Sequence, residues 1–251
     1  MQSKSCKNYI QKNKQHWDAI ARSDWPKKAE LRKKIRDGFP YLEKMEPKLA
    51  PYLSDIDGKK IIVLQFGDGL VLLACAKKGA IVTGVDLSGE QVRFVKKAAA
   101  YCDVNVELVE ADCQKLPKSI PNNHFDLAIA ECGIFIWISN IEAWMKNAYR
   151  VLKTGGRVIV SDFHPLSMIA EEKEGVITFT KSYFDQQPKV YQPEKNAPPA
   201  VEFLWKLSDI INAAVEAEFR IDRVEEFYVE KSDEKIPLIP TDFLLVAKKG
   251  N

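Results

Sequence analysis

Three histidines and five cysteines among 251 residues leave little material for a metal centre, and no Cys-x-x-Cys or Cys/His spacing gathers them. An odd cysteine count without paired spacing reads as reduced thiols, not as a disulfide framework or a zinc site. No run of 18 apolar residues occurs, so no membrane-spanning helix is expected. The first lysines are followed by no apolar core, so we expect no secretory signal and a cytoplasmic location. A dominant charge is missing too, since 37 Lys+Arg face 35 Asp+Glu for a net charge of +2. Residues 1–60 do hold 15 basic against 8 acidic side chains. These lysines are interleaved with Ile10, Trp17, Ile20, Leu31 and Ile35 at helical spacing, which favours a solvated helical face over a nucleic-acid patch. At 46% apolar residues the chain has enough for a sizeable core, and its length suits one large domain with an accessory cap.

What is present concentrates in residues 61–95, IIVLQFGDGLVLLACAKKGAIVTGVDLSGEQVRFV. An apolar, β-branched run ends at Gly67-Asp68-Gly69, a helix-compatible segment follows, and a second apolar run ends on Asp86. Strand, glycine turn, helix, strand and acid make the first half of a nucleotide-binding α/β sheet. Glycine serves the turn because a ligand must approach the backbone there and φ is free to be positive. Further strands are expected at 104–108, before Asp112-Cys113, at 125–130, before Glu131-Cys132-Gly133, and at 157–161, after a helix at 141–152 and a turn at 153–156. Residues 164–204 break the alternation with His164-Pro165, a helix-like piece, two β-like stretches and a proline-rich run. A connection of that length inside a compact domain is functional or disordered. A helix at 205–219 and strands at 221–230 and 242–248 close the chain. Residues 1–57 read as two or three short helices broken near Trp25-Pro26, Gly38-Phe39-Pro40 and Pro51.

From residue 59 to 249 these phrases, in this order, resemble the class I S-adenosylmethionine-dependent methyltransferases, of the small-molecule type. The motif I phrase stands as Val63-Leu64-Gln65-Phe66-Gly67-Asp68-Gly69-Leu70-Val71, and the phrases VTGVDLS, EADCQKLP, FDLAIAECG and AYRVLKTGGRVIVSDFHP are similar to those that follow it in the family. The resemblance implies a Rossmann-like α/β fold: a seven-stranded, mostly parallel sheet with helices on both faces and a C-terminal antiparallel hairpin. To it are added an N-terminal helical cap over 1–57 and a substrate-cap insertion after strand 5, at 164–204, within a methyltransferase domain of 58–251. It implies S-adenosyl-L-methionine as cofactor, with Asp86 on the ribose diol, Asp112 on the adenine amino group beside Cys113, and Leu87 on the adenine face. Gly67, Asp68 and Gly69 would lie against the methionine tail, where exposed amides and a helix N-terminus suit a carboxylate. Glu131 and Gly133 would border the methyl group. Two positions depart from the family: Gln65 stands where it has an acid, and Val71 where it has a third glycine. An amide accepts a hydrogen bond from an ammonium without charge assistance.

For the acceptor, Tyr9, Trp17 and Trp25 would fold over the cofactor, with Phe135, Trp137 and Tyr183 as further walls; packing in the core is the competing role for each. Aromatic walls suit a flat or apolar small molecule and tolerate a sulfonium. His164 is placed as general base, near pKa 6.5 when unperturbed, or else turns the chain into the insertion. Cys113 and Cys132 read as small packed side chains. The sequence leaves open a monomer or a homodimer. The competing functions are a silent S-adenosylmethionine-binding scaffold, an NAD-dependent oxidoreductase and an RNA methyltransferase. Leu72 stands where the dinucleotide phrase needs glycine, and no Asn-Pro-Pro-aromatic phrase follows the fourth strand.

Overall fold

The fold is that of a computed structural model in which residues 4–173, 176–193, 197–228 and 239–250 are described. Three helices come first, α1 (Lys4–Asp24), α2 (Ala29–Arg36) and α3 (Tyr41–Met45). The alternating part runs β1 (Lys60–Leu64), α4 (Leu70–Lys77), β2 (Ile81–Asp86), α5 (Gly89–Tyr101), β3 (Val106–Glu110), β4 (Phe125–Glu131), α6 (Ile141–Val151) and β5 (Leu152–Phe163). The insertion holds β6 (Ala170–Lys173), β7 (Val176–Phe179), β8 (Lys189–Tyr191) and β9 (Ala200–Glu202). The chain closes with α7 (Leu207–Glu216), β10 (Phe219–Phe227) and β11 (Asp242–Lys249).

Seven strands form one sheet in the order β10-β11-β5-β4-β1-β2-β3. β11 runs antiparallel to both neighbours, so six strands share a direction and one opposes them. Side chains alternate across the sheet. Ile62, Leu64, Ala128, Ala130, Val158 and Val160 therefore pack on α6 and α7, through Trp144, Met145, Ile210 and Ala213. Ile61, Val63, Leu127, Ile129 and Ile159 face the other way, onto Leu72 of α4, Val95 of α5 and Ile35 and Leu42 of the N-terminal helices. α6 buries Ile141, Trp144, Met145, Ala148 and Val151, the i, i+3, i+4, i+7 stripe of an amphipathic helix. It starts at Asn140, whose side chain accepts from the Ala143 N–H.

Several expectations change. The helix-like piece after Pro165 is a series of turns followed by the antiparallel β6–β7 hairpin. Ala170-Glu171-Glu172-Lys173 is made of helix formers, but pairing with the β-branched Val176–Phe179 strand overrides that preference. β3 begins at Val106 rather than residue 104, because the Val104 N–H turns back to the Ala99 carbonyl and finishes α5. The N-terminal region opens with a single helix of 21 residues, while the expected breaks at Pro26 and at 38–40 are present. The expected strand at 221–230 begins earlier, at Phe219, and its last residues, 229–230, lie outside the described residues. Among the described residues no helix is long and apolar enough to cross a membrane.

Candidate functional site

A cavity of about 670 Å³ lies at the carboxyl ends of β1, β2, β3 and β4, where open α/β sheets place their ligands. The strand ends and the turns after them supply Gln65, Gly67, Asp86, Leu87, Asp112, Cys113, Gln114, Cys132, Gly133 and Ile134. Trp137 and Ile138 continue the wall, and Ile10, Asn13 and Trp17 of α1 with Gln91 of α5 complete it.

The glycine turn is tight for a reason visible in its packing. Gly67 and Gly69 have φ of +53° and +74°, and a Cβ on Gly69 would stand 2.6 Å from the Val95 side chain. A larger residue would push α5 away. The Gly67, Gly69 and Leu70 amides of this turn are already engaged, contrary to what the methionine-tail expectation supposed. Gly67 N–H donates to Asp86 Oδ2 at 3.0 Å, Gly69 N–H to the Phe66 carbonyl, and Leu70 N–H to Asp68 Oδ1. The turn satisfies its own donors because these oxygens lie within it or on the adjacent strand. Asp68 and Gly69 thus shape the turn without lining the cavity. Asp68 also pairs with Lys28 at 3.5 Å.

Asp86 is 7% exposed, and its Oδ1 accepts from the Ser88 N–H at 2.8 Å. Burial pushes this carboxyl up to about 6, with repulsion from Asp18 adding and amide hydrogen bonds opposing. Each oxygen keeps a lone pair for a further donor. Asp112 caps the short helical turn Cys113–Lys115 through one oxygen, Oδ1, which accepts from both the backbone and the side-chain amide of Gln114. Its Oδ2 carries no hydrogen bond among the described residues. Gln114 also accepts from Ser139 Oγ and the Asn140 N–H, both at 2.9 Å, which ties Asp112 to the start of α6.

The β4 end is built differently. Asp162, 4% exposed, accepts from the backbone amides of Gly133, Ile134, Phe135 and Phe163 at 2.6–2.9 Å, and so clamps the segment that follows β4. Gln65 reaches the same segment, donating from Nε2 to the Ile134 carbonyl at 3.2 Å while Oε1 accepts from Trp144 Nε1 at 2.9 Å. Glu131 does not line the cavity. Burial and the nearby carboxylates of Glu46, Asp68 and Asp162 push it up to about 8. Cys132 adopts φ +63° and is exposed, not the packed side chain expected; desolvation and the neighbouring Glu131 push its thiol up to about 12, so little thiolate forms at neutral pH. Cys113 is buried and its thiol is likewise raised.

Helix α1 forms the roof and is fastened at both sides. Asn13 exchanges two hydrogen bonds with the Val201 backbone of β9, at 2.7 and 2.9 Å, and His16 Nδ1 lies 2.8 Å from the Pro198 carbonyl. On the sheet side Asp18 accepts from Ser88 Oγ and the Glu90 N–H, and Lys14 pairs with Glu110 at 3.0 Å. Trp17 meets Trp137 edge-on at 5.3 Å, and His16 stacks on the same indole. Other expected acceptor residues lie elsewhere. Trp25 stacks on Phe94, and Tyr9 packs on Phe203. Phe135 is buried against Trp144. The Tyr183 hydroxyl accepts from the Leu207 N–H at the start of α7. His164 is 2% exposed and outside the cavity, with Nδ1 accepting from the Leu166 N–H and Nε2 2.8 Å from Glu226 Oε1. Burial lowers its pKa even with Glu226 beside it.

Sequence reasoning thus missed Ile10, Asn13, Gln91, Gln114, Cys132, Ile134 and Ile138 as wall residues. One signal was available, since Asn13, His16 and Trp17 share a helix face at i, i+3, i+4. Among the described residues no cluster of His, Cys, Asp or Glu is placed to hold a metal.

Residues 61–156 match the family of the methyltransferase domain. The chain is 31% identical over 115 residues to a demethylmenaquinone methyltransferase of Tropheryma whipplei, covering 45% of this chain and 46% of that protein. It is 36% identical over 98 residues to a sterol 4-C-methyltransferase of Caenorhabditis elegans, covering 38% of this chain and 28% of that protein. The chain therefore spans about half the length, or less, of these curated relatives. An S-adenosylmethionine-dependent methyltransferase structure from Mesorhizobium loti shares the fold, with TM-score 0.66 and 23% identity over 85% of this chain and all of that one.

Proposed function

We propose, for a chain that carries the methyltransferase domain of the class I S-adenosylmethionine-dependent enzymes, that it transfers a methyl group to an O, N or C atom of a small-molecule acceptor by in-line displacement. One observation carries the reading: Asp86 and Asp112, at the ends of adjacent strands, present unused carboxylate lone pairs to one cavity beside the glycine turn. The cofactor supplies, when bound, a methyl group activated by its sulfonium.

In this reading Asp86 accepts from the ribose hydroxyls and Asp112 Oδ2 from the adenine amino group, with Leu87 and Cys113 as the flanking walls. Gly67 and Gly133 keep the backbone close on either side, and Gln65 borders the methionine end. Trp17 and Trp137 enclose the acceptor, excluding water and limiting it to orientations in line with the sulfur, at roughly 3–3.5 Å for the reacting atoms. Their apolar faces favour a flat or apolar acceptor, which is in keeping with relatives named for demethylmenaquinone and a sterol. Residues 1–57 and the insertion at 164–204 act together as the substrate cap, a role supported by the Asn13 and His16 contacts to the insertion. His164 is committed to the β5–β11 junction and lies outside the cavity, so it takes no part in the chemistry.

Calorimetric titration with S-adenosylmethionine, S-adenosylhomocysteine and NAD tests the reading. Binding of the first two is expected; heat with NAD alone would overturn it, and silence with all three would leave a scaffold.

A further inference from the structure

We propose that Gln65 is a positioning residue: its amide bolts the cavity wall after β4 to α6, a task a carboxylate at this position cannot perform. By strand alternation residue 65 belongs with Ile61 and Val63 on the α4–α5 face. Its φ of +55° turns the side chain to the opposite face, where Trp144 is fully buried. There the two ends of the amide meet complementary partners, an indole N–H at 2.9 Å and the Ile134 carbonyl at 3.2 Å. Asp162 already holds the amides of Gly133, Ile134 and Phe135. Donors and an acceptor of one short segment are thus pinned from two directions, and Gly133 and Ile134 of that segment line the cavity.

An ionised glutamate here would keep the bond from Trp144 but have no hydrogen for Ile134, and would set a negative charge against a carbonyl oxygen in a buried place. The departure from the family's usual acid is in this view a requirement of the wall and not a weakened ammonium contact. The two explanations predict opposite signs for Gln65→Glu. A residue that meets the cofactor's ammonium directly gains from a carboxylate; a bolt to Ile134 loses.

The role in ligand binding rests on the reading that this cavity takes S-adenosylmethionine, and two measurements on the full chain keep the claims apart. Amide exchange at 133–135, read by NMR without cofactor, reports the bolt alone. At pH 8 Gln65→Glu is expected to speed that exchange at least tenfold over wild type and to weaken S-adenosylmethionine binding about tenfold. A pH low enough to protonate the glutamate restores a donor for Ile134, so both ratios to wild type should close there. Gln65→Met, which lacks both bonds and carries no charge, should show a loss that pH does not repair. It also serves as the test if Gln65→Glu does not fold. Unaccelerated exchange in either variant, or cofactor binding in Gln65→Glu as tight as in wild type, overturns the proposal. A wild-type chain that binds no S-adenosylmethionine overturns the functional reading, and the exchange ratios still decide the bolt.

Discussion

At the β2–β3 end of the cavity, Asp86 and Asp112 stand at strand ends and are steadied by amides one to three residues away or on the adjoining glycine turn. At the β4–β5 end, Asp162 and Gln65 hold the wall through partners 27 to 79 residues distant, and Glu131 sits among carboxylates contributed by α3–β1, the glycine turn and β5. The first end is specified locally. The second is assembled by tertiary packing and stores unfavourable electrostatics around Glu131.

The sharpest break in that contrast is Asp162→Ala. Four buried or partly buried amides lose their acceptor, so the chain should lose about 3 kcal/mol or more of stability in urea titration. A loss below about 1 kcal/mol would mean the wall is held by other means. Next in size is Glu131→Gln. Because its side chain lies outside the cavity, S-adenosylmethionine affinity should stay put. Its stability effect has a definite sign. The folded pKa is about 8 against 4.5 for the free side chain, so the folded state retains the proton longer. The Glu131 contribution therefore falls as pH rises from 4.5 to about 8 and stays low above that. Glu131→Gln should accordingly be more stable than wild type at pH 9 and differ little at pH 4; equal stability at both would remove the charge cluster.

Asp86→Ala should weaken S-adenosylmethionine binding by about 1.5–3 kcal/mol, the worth of hydrogen bonds to a charged group. An unchanged dissociation constant would take Asp86 out of the site. His164→Ala, the smallest effect, should cost about 1–2 kcal/mol of stability from its lost backbone and Glu226 contacts. Cofactor affinity and the turnover of the folded fraction should stay as they were; a selective fall in turnover would return His164 to the chemistry.

The same contrast explains what could be read in the sequence. Apolar runs and glycine turns announced all seven strands, because each strand carries its own pattern; the reversed β11 was implied by the family resemblance. Gly67, Asp86 and Asp112 were legible as cavity residues because their places at strand ends follow from the strand pattern. The β6–β7 hairpin was not, since Ala170–Lys173 has helix-forming composition and becomes a strand only beside Val176–Phe179. Nor was the roof contact, in which Asn13 meets Val201 across 188 residues. His164 misled for a related reason: its place just past β5 suited a base, but the ring is buried against the closing hairpin.

The central claim is that a carboxylate at the end of β2 grips the ribose of S-adenosylmethionine, and its pH dependence tests this most directly. With Asp86 pushed up to about 6, the wild-type dissociation constant for S-adenosylmethionine, measured by calorimetry from pH 5 to 8, should be level above pH 7 and rise below 6. Asp86→Asn should bind more weakly and show no such rise. A wild-type affinity that ignores pH, or an Asp86→Asn curve that retains the same inflection, would contradict the account.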